Sequence, residues 1–126
     1  AIYYSLYTDE INEEKSGNAS SPNIIHAMDA THLMMVADRC AKYGVSDLMV
    51  VHDSFGAKIG DVGTLRRFLL EELVALYKDY NLYEDILKQA KDQHPRGHSP
   101  RMQWPNLPER GQIDWQPVLK SKNSFS

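Results

Sequence analysis

The chain has 126 residues, 42% of them apolar and 25% charged, which is the size of one domain with a modest core and the composition of an ordinary globular protein. A formal net charge of −3 argues against an autonomous nucleic-acid binder, because phosphate contact is normally made by an excess of Lys and Arg; contact would have to come from a few placed groups or from a basic partner. The single cysteine, Cys40, excludes an internal disulfide and fits a buried, inert thiol in a reducing setting, while no apolar run approaches the roughly 20 residues that span a bilayer.

The start of the chain lacks the basic region of a signal peptide and has no initiator Met, which suggests a processed or cut-out piece. Residues 2–7 alternate Ile2, Tyr4 and Leu6 against Tyr3, Ser5 and Tyr7, the pattern of an amphipathic strand that must find a partner. Residues 8–20 are acidic and polar, with Gly17 and Asn18 among them, and read as an exposed loop.

Ser21 and Pro22 then supply an N-cap and a first helical residue for the longest helix, predicted over residues 21–43 and stopped by Gly44. Such a helix is about 33 Å long. Its predicted inner face collects His26, Asp29, Leu33, Val36, Ala37 and Cys40, and Ile25, Met28 and Met35 widen the apolar surface, as if it were wedged between layers.

Residues 47–60 form the most informative stretch. The apolar run from Leu48 to Val51 leads into His52, Asp53 and Ser54, and a second short run from Phe55 to Ile59 leaves it, which predicts an antiparallel β-hairpin with polar groups at its tip. Strand alternation puts Leu48, Val50 and His52 on one face and Met49, Val51 and Asp53 on the other. On chemistry alone Asp53 either binds a metal ion or makes an Asx turn.

A second helix follows, capped by Asp61 or Thr64, with Leu65, Phe68, Leu69, Leu73 and Leu76 facing the core and Arg66, Arg67, Glu71, Glu72 and Lys78 solvated. Asn81 and Glu84 resemble a capping box for a third helix ending near Lys91, buried through Leu82, Ile86 and Leu87. Five of the six prolines lie from Pro95 onward, so residues 94–126 are expected to be extended and held by docking through Trp104, Trp115 and Val118.

Beyond the hairpin, two groupings invite chemistry. His26 and Asp29, three apart near the positive end of a helix dipole, suit a hydrogen-bonded pair or a side chain aimed at a ligand, but match no zinc spacing. His94, Arg96, His98 and Arg101 make a locally basic cluster that reads as a solvated loop or a phosphate contact. No nucleophile elbow, phosphate loop or dinucleotide fingerprint is present.

Three segments, in order, resemble the single-subunit DNA-directed RNA polymerases of phages and mitochondria. Residues 21–33, Ser-Pro-Asn-Ile-Ile-His-Ala-Met-Asp-Ala-Thr-His-Leu, look like the helix that returns from the fingers to the palm. His52-Asp53-Ser54-Phe55-Gly56 is similar to motif C, with a Phe-Gly more phage-like than mitochondrial. Leu107-Pro108 through Gly111, Ile113-Asp114, Val118-Leu119 and the terminal Asn123-Ser124-Phe125-Ser126 look like the closing segment.

The resemblance implies an α+β fold, mostly helical with a small antiparallel hairpin, forming one C-terminal fragment of a right-hand palm over residues 1–126. It implies that Asp53 is one of two aspartates holding two Mg2+ ions, that His52 lies by the growing RNA end, that His26 touches the minor-groove edge of the newest base pair, and that Phe125 packs towards the active centre. DNA template, RNA product, nucleoside triphosphates and the remainder of the polymerase follow as partners, with no membrane, in a bacterial host cytoplasm if the chain is phage-derived rather than mitochondrial. The second aspartate and the helix with the nucleotide-selecting lysine and tyrosine would lie upstream of Ala1, so the chain alone is expected to make no RNA. The rival expectation is a non-catalytic module, or a split-enzyme subunit, that docks through residues 2–7 and 21–43. A DNA polymerase palm is a third, against which the closing segment speaks.

Overall fold

The computed structural model describes residues 9–51, 54–93 and 104–122. The expected α+β character holds: among the described residues four helices accompany one two-stranded antiparallel sheet, in the order α1 (Glu13–Tyr43), β1 (Leu48–Val51), β2 (Ser54–Ala57), α2 (Val62–Asp79), α3 (Leu82–Gln93) and α4 (Gln116–Lys120). The predicted strand over residues 2–7 and the basic cluster from His94 to Arg101 lie outside the described residues.

The first helix starts earlier than its proline suggests. Asn12 is the N-cap, its side chain accepting from the Lys15 amide at 2.8 Å, and Glu13 and Glu14 place negative charge in the first turn, where the helix dipole favours it. Residues 13–20, expected as loop, are therefore helical, and Pro22 stands inside the helix rather than at its start. The 31 residues make a rod of about 46 Å. Its end is as expected: Gly44 adopts φ 91°, its amide donates to the Ala41 carbonyl, and the Val45 amide donates to that of Cys40. This pairing recovers two terminal carbonyls and turns Val45 into the core beside Cys40.

Only a narrow stripe of α1 is buried, Met28, His32, Val36 and Cys40, recurring every four residues. The inner face expected from the sequence is covered only in part: Met28, Val36 and Cys40 are buried and Leu33, Met35 and Ala37 half-buried, but His26 and Asp29 are exposed, as is Ile25 at 57%. The stripe packs on α2, whose Leu65, Phe68, Leu69, Leu70, Val74 and Leu76 are buried. The centre of the core is Val36, Cys40, Val45, Leu65, Phe68 and Leu69, with Leu48, Phe55 and Ala57 of the ribbon laid against it.

Charged residues of α2 read as solvated do more than face water. Arg39 of α1 bridges Glu71 and Glu72, and its guanidinium lies 4.5 Å from the Phe68 ring centre. The hydrogen bond to Glu72 is the first cause that raises the Arg39 pKa. Arg66 donates to the Ser121 carbonyl at 2.8 Å and so ties α4 to α2. Arg110 donates to the carbonyls of Tyr77, Lys78 and Tyr80 at 2.6, 2.7 and 3.2 Å, closing the C-terminal end of α2.

Two further expectations need correction. The third helix begins where Asn81 and Glu84 suggest, with a 3.4 Å contact from the Glu84 amide to the Asn81 side chain, yet none of its residues is buried and Ile86 is 37% exposed. The closing segment is not extended throughout, because Gln116–Lys120 form a short helix with Pro117 in its first turn.

Candidate active-site hairpin

The ribbon is fixed by its register. Leu48 pairs with Ala57, Met49 with Gly56, Val50 with Phe55 and Val51 with Ser54. Alternation then gives the two faces that the sequence predicts for the strands: Leu48, Val50, Phe55 and Ala57 are partly buried towards the helices, while Met49, Val51 and Ser54 face outward. The last pair, Val51 and Ser54, brackets His52 and Asp53 in the chain. Those two residues, and Phe125, lie outside the described residues.

At the opposite end an exposed ion pair between Asp47 and Lys58 ties the strands together. The Lys58 hydrogen bond holds the Asp47 carboxyl below its ordinary value, and the same bond raises Lys58. Among the described residues no group of three or more His, Cys, Asp or Glu is placed to hold a metal ion. Cys40 is fully buried, and burial pushes its thiol pKa up, as an inert structural cysteine requires.

Of the two α1 residues singled out from the sequence, His26 stands on the exposed surface, and Asp29 is exposed beside it with no hydrogen bond between them among the described residues. The α1 side chain that does reach the ribbon is His32, 7% exposed. Its Nε2–H donates to the Leu69 carbonyl of α2 at 2.9 Å, and its ring meets that of Phe55 edge-on, with centroids 6.3 Å apart at 69°. The sequence alone assigns His32 no role of its own. The available signal was its place, four after Met28 and four before Val36, in an otherwise apolar row.

Two clefts flank this frame. One, of about 630 Å³, lies between α1, the end of α2 and α3, and is lined by Ile24, Met28, Met35, Leu76, Leu82 and Ile86 with Asp79 and Asp85 on its polar side. The other, of about 370 Å³, lies between α2 and α4 and gathers Arg66, Arg67, Lys120 and Lys122. Among the described residues no helix is long and apolar enough to cross a membrane.

Comparison with known proteins gives a consistent answer. The sequence model described as DNA-dependent RNA polymerase matches residues 2–100. The chain is 34% identical over 119 residues to DNA-directed RNA polymerase 1A of Nicotiana tabacum, covering 94% of this chain and 72% of that protein. It is 32% identical over 123 residues to the DNA-directed RNA polymerase of Enterobacteria phage T3, and 34% identical over 122 residues to the mitochondrial DNA-directed RNA polymerase 1 of Arabidopsis thaliana. Each of these alignments takes in 97% of this chain but only 14% and 12% of the respective relative. No solved structure matches.

Proposed function

The chain belongs to the DNA-dependent RNA polymerase family of the phage type, and on that footing we propose that it forms the C-terminal part of the catalytic palm, with the residues joining β1 to β2 at the reacting edge. The reaction is templated transfer of nucleotidyl groups from nucleoside triphosphates to an RNA 3′ end, with a DNA template and the rest of the polymerase as partners. Metal-dependent chemistry belongs to the family in general, and Mg2+ held partly by Asp53 is the specific form that the donor chemistry favours. Bound metal supplies Lewis-acid activation of the attacking hydroxyl and neutralises the leaving pyrophosphate.

The chain's own residues have positional work to do. Asp53 would offer a hard oxygen ligand, and it is one of only two residues in the chain between the paired Val51 and Ser54. One carboxylate cannot neutralise two divalent ions, and the reading therefore requires a second aspartate from another part of the polymerase. In the same reading His52 lies beside the RNA end, His26 meets the minor-groove edge of the newest base pair, and Phe125 packs towards the active centre. The phage-like Phe55-Gly56 pair favours a bacterial host cytoplasm over a mitochondrion, although relatives of both kinds match.

The observation that carries the reading is the register of the ribbon, which seats Phe55 and Ala57 on the core and leaves only two residues between Val51 and Ser54. The test is Asp53→Asn in the full-length polymerase carrying this chain. RNA synthesis should fall on the order of 1,000-fold while template binding persists, in line with removal of one fixed electrostatic contact to the transition state. Near-normal synthesis would remove the metal role.

One observation keeps a second reading alive. The uncovered apolar cleft against α3 suits a docking subunit of a split enzyme, whose association would be indifferent to Asp53 and to magnesium.

A further inference from the structure

Charge is unevenly spread over this chain. Asp and Glu outnumber Lys and Arg by 17 to 14, yet the cleft of about 370 Å³ between α2 and α4 is lined by four cations, Arg66, Arg67, Lys120 and Lys122, and by one carboxylate, Glu71. That carboxylate is already held by Arg39 of α1. Among the described residues none of the four lining cations makes an ion pair. Like charges gathered in this way repel one another, and packing of the fold gives no reason to gather them.

The tertiary structure holds the cluster in place. Arg66 is half-buried and donates to the Ser121 carbonyl at 2.8 Å, which fixes the residue between Lys120 and Lys122 against α2. That bond occupies only part of the guanidinium's donor set. Arg67 lies over two rings, its central carbon 5.9 Å from the Tyr43 centre and 5.2 Å from that of Phe68. Contact through the face of the guanidinium leaves its in-plane N–H groups for a ligand. Lys120 and Lys122 are exposed on the opposite wall. One side of the cleft therefore offers planar forks and the other offers ammonium groups.

Phosphate oxygens match both kinds of donor, since arginine forks bind them in pairs and lysine meets them as a point charge. A nucleic-acid strand also carries its charges in a row, one per nucleotide, as a cleft with cations along both walls requires. We propose that the cleft between α2 and α4 binds the sugar–phosphate backbone of a nucleic-acid strand, touching phosphates and not bases. The site is separate from the β1–β2 ribbon and rests on the polymerase reading only for the identity of the polyanion. It also reconciles nucleic-acid contact with a net charge of −3, because a few placed groups make the contact.

The experiment measures binding of a fluorescently labelled RNA–DNA hybrid with a single-stranded template extension to the full-length polymerase carrying this chain. Anisotropy is followed over a range of KCl, without Mg2+ or nucleoside triphosphates. The variant combines Lys120→Gln with Lys122→Gln, two exposed side chains whose loss leaves the Arg66 bond to Ser121 in place. Its affinity should fall on the order of tenfold at about 0.1 M KCl, equally for two hybrids of unrelated sequence. The slope of log affinity against log KCl should become shallower by about 1.5. Lys88→Gln, exposed on α3 and outside the cleft, should leave affinity and slope unchanged.

An unchanged slope in the double variant overturns the proposal, as does a loss confined to one of the two sequences or an equal loss in Lys88→Gln. Titration with inorganic tripolyphosphate separates a strand from a small anion. If tripolyphosphate binding is lost in the double variant while hybrid binding holds, the cleft takes a free phosphate anion and the proposal is wrong. Failure of the polymerase reading looks different. An unaltered enzyme that does not bind the hybrid at any KCl concentration removes that reading and the proposal together, whereas normal binding by both the unaltered enzyme and the double variant removes the cleft alone.

Discussion

Asp47 and Lys58 close the open end of the ribbon, and both are exposed, so their pairing is judged by titration rather than by its contribution to stability. Because the folded Asp47 pKa lies below its ordinary 3.8, its contribution is present above that value and is lost as pH falls through the lowered one. For Lys58, raised above 10.5, the contribution is present below that value and is lost as pH climbs through the raised one. The pair is accordingly intact from about pH 4 to about pH 10. Replacing Lys58 by Met should return the Asp47 carboxyl to the ordinary aspartate range, read from its carboxyl carbon resonance during an acid titration. No upward movement would mean that the ion pair is not formed. Arg39 works differently, since its two carboxylate partners come from the facing helix and its charge also lies over Phe68.

Among the elements, α1 shows how capping and backbone defects divide a long helix. Asn12, Glu13 and Glu14 start it, but Pro22 lacks an amide hydrogen for the carbonyl of Asn18 and crowds that carbonyl with its ring. The turns before the proline carry no buried residue, so nothing tertiary offsets the defect there. Pro22→Ala should therefore raise amide protection across residues 13–21 by severalfold in hydrogen exchange. Global stability should move by less than the roughly 3 kcal/mol that proline costs inside a helix, because this exposed segment opens locally before the core does. Protection unchanged across those residues would show that they open together with the core. The ribbon is the opposite case, short but anchored, with one face on the core and only the other in water.

For the whole molecule, the decisive feature is how much apolar surface is left bare. The central core is one cluster, α3 buries no residue, and Tyr83 and Ile86 join Ile25 and Met34 in solvent. An isolated chain of this kind should unfold in urea with an m value near the lower end of the usual range, about 1 kcal/mol/M, and should incorporate no nucleotide in the presence of Mg2+. A steep, cooperative transition would show that the bare faces are covered within the chain, and RNA synthesis would show that the second carboxylate is not needed. Much of this architecture was legible beforehand. The ribbon and its two strand faces, the stop at Gly44 and the start of α3 all depend on residues within a few positions of one another, whose backbone preferences act locally. Three things were decided only by the tertiary structure: which row of α1 meets α2, that His32 belongs to that row and touches Phe55, and that Arg39 is held by Glu71 and Glu72. These are contacts between residues more than 20 positions apart, and their selection depends on how whole helices pack rather than on any local signal.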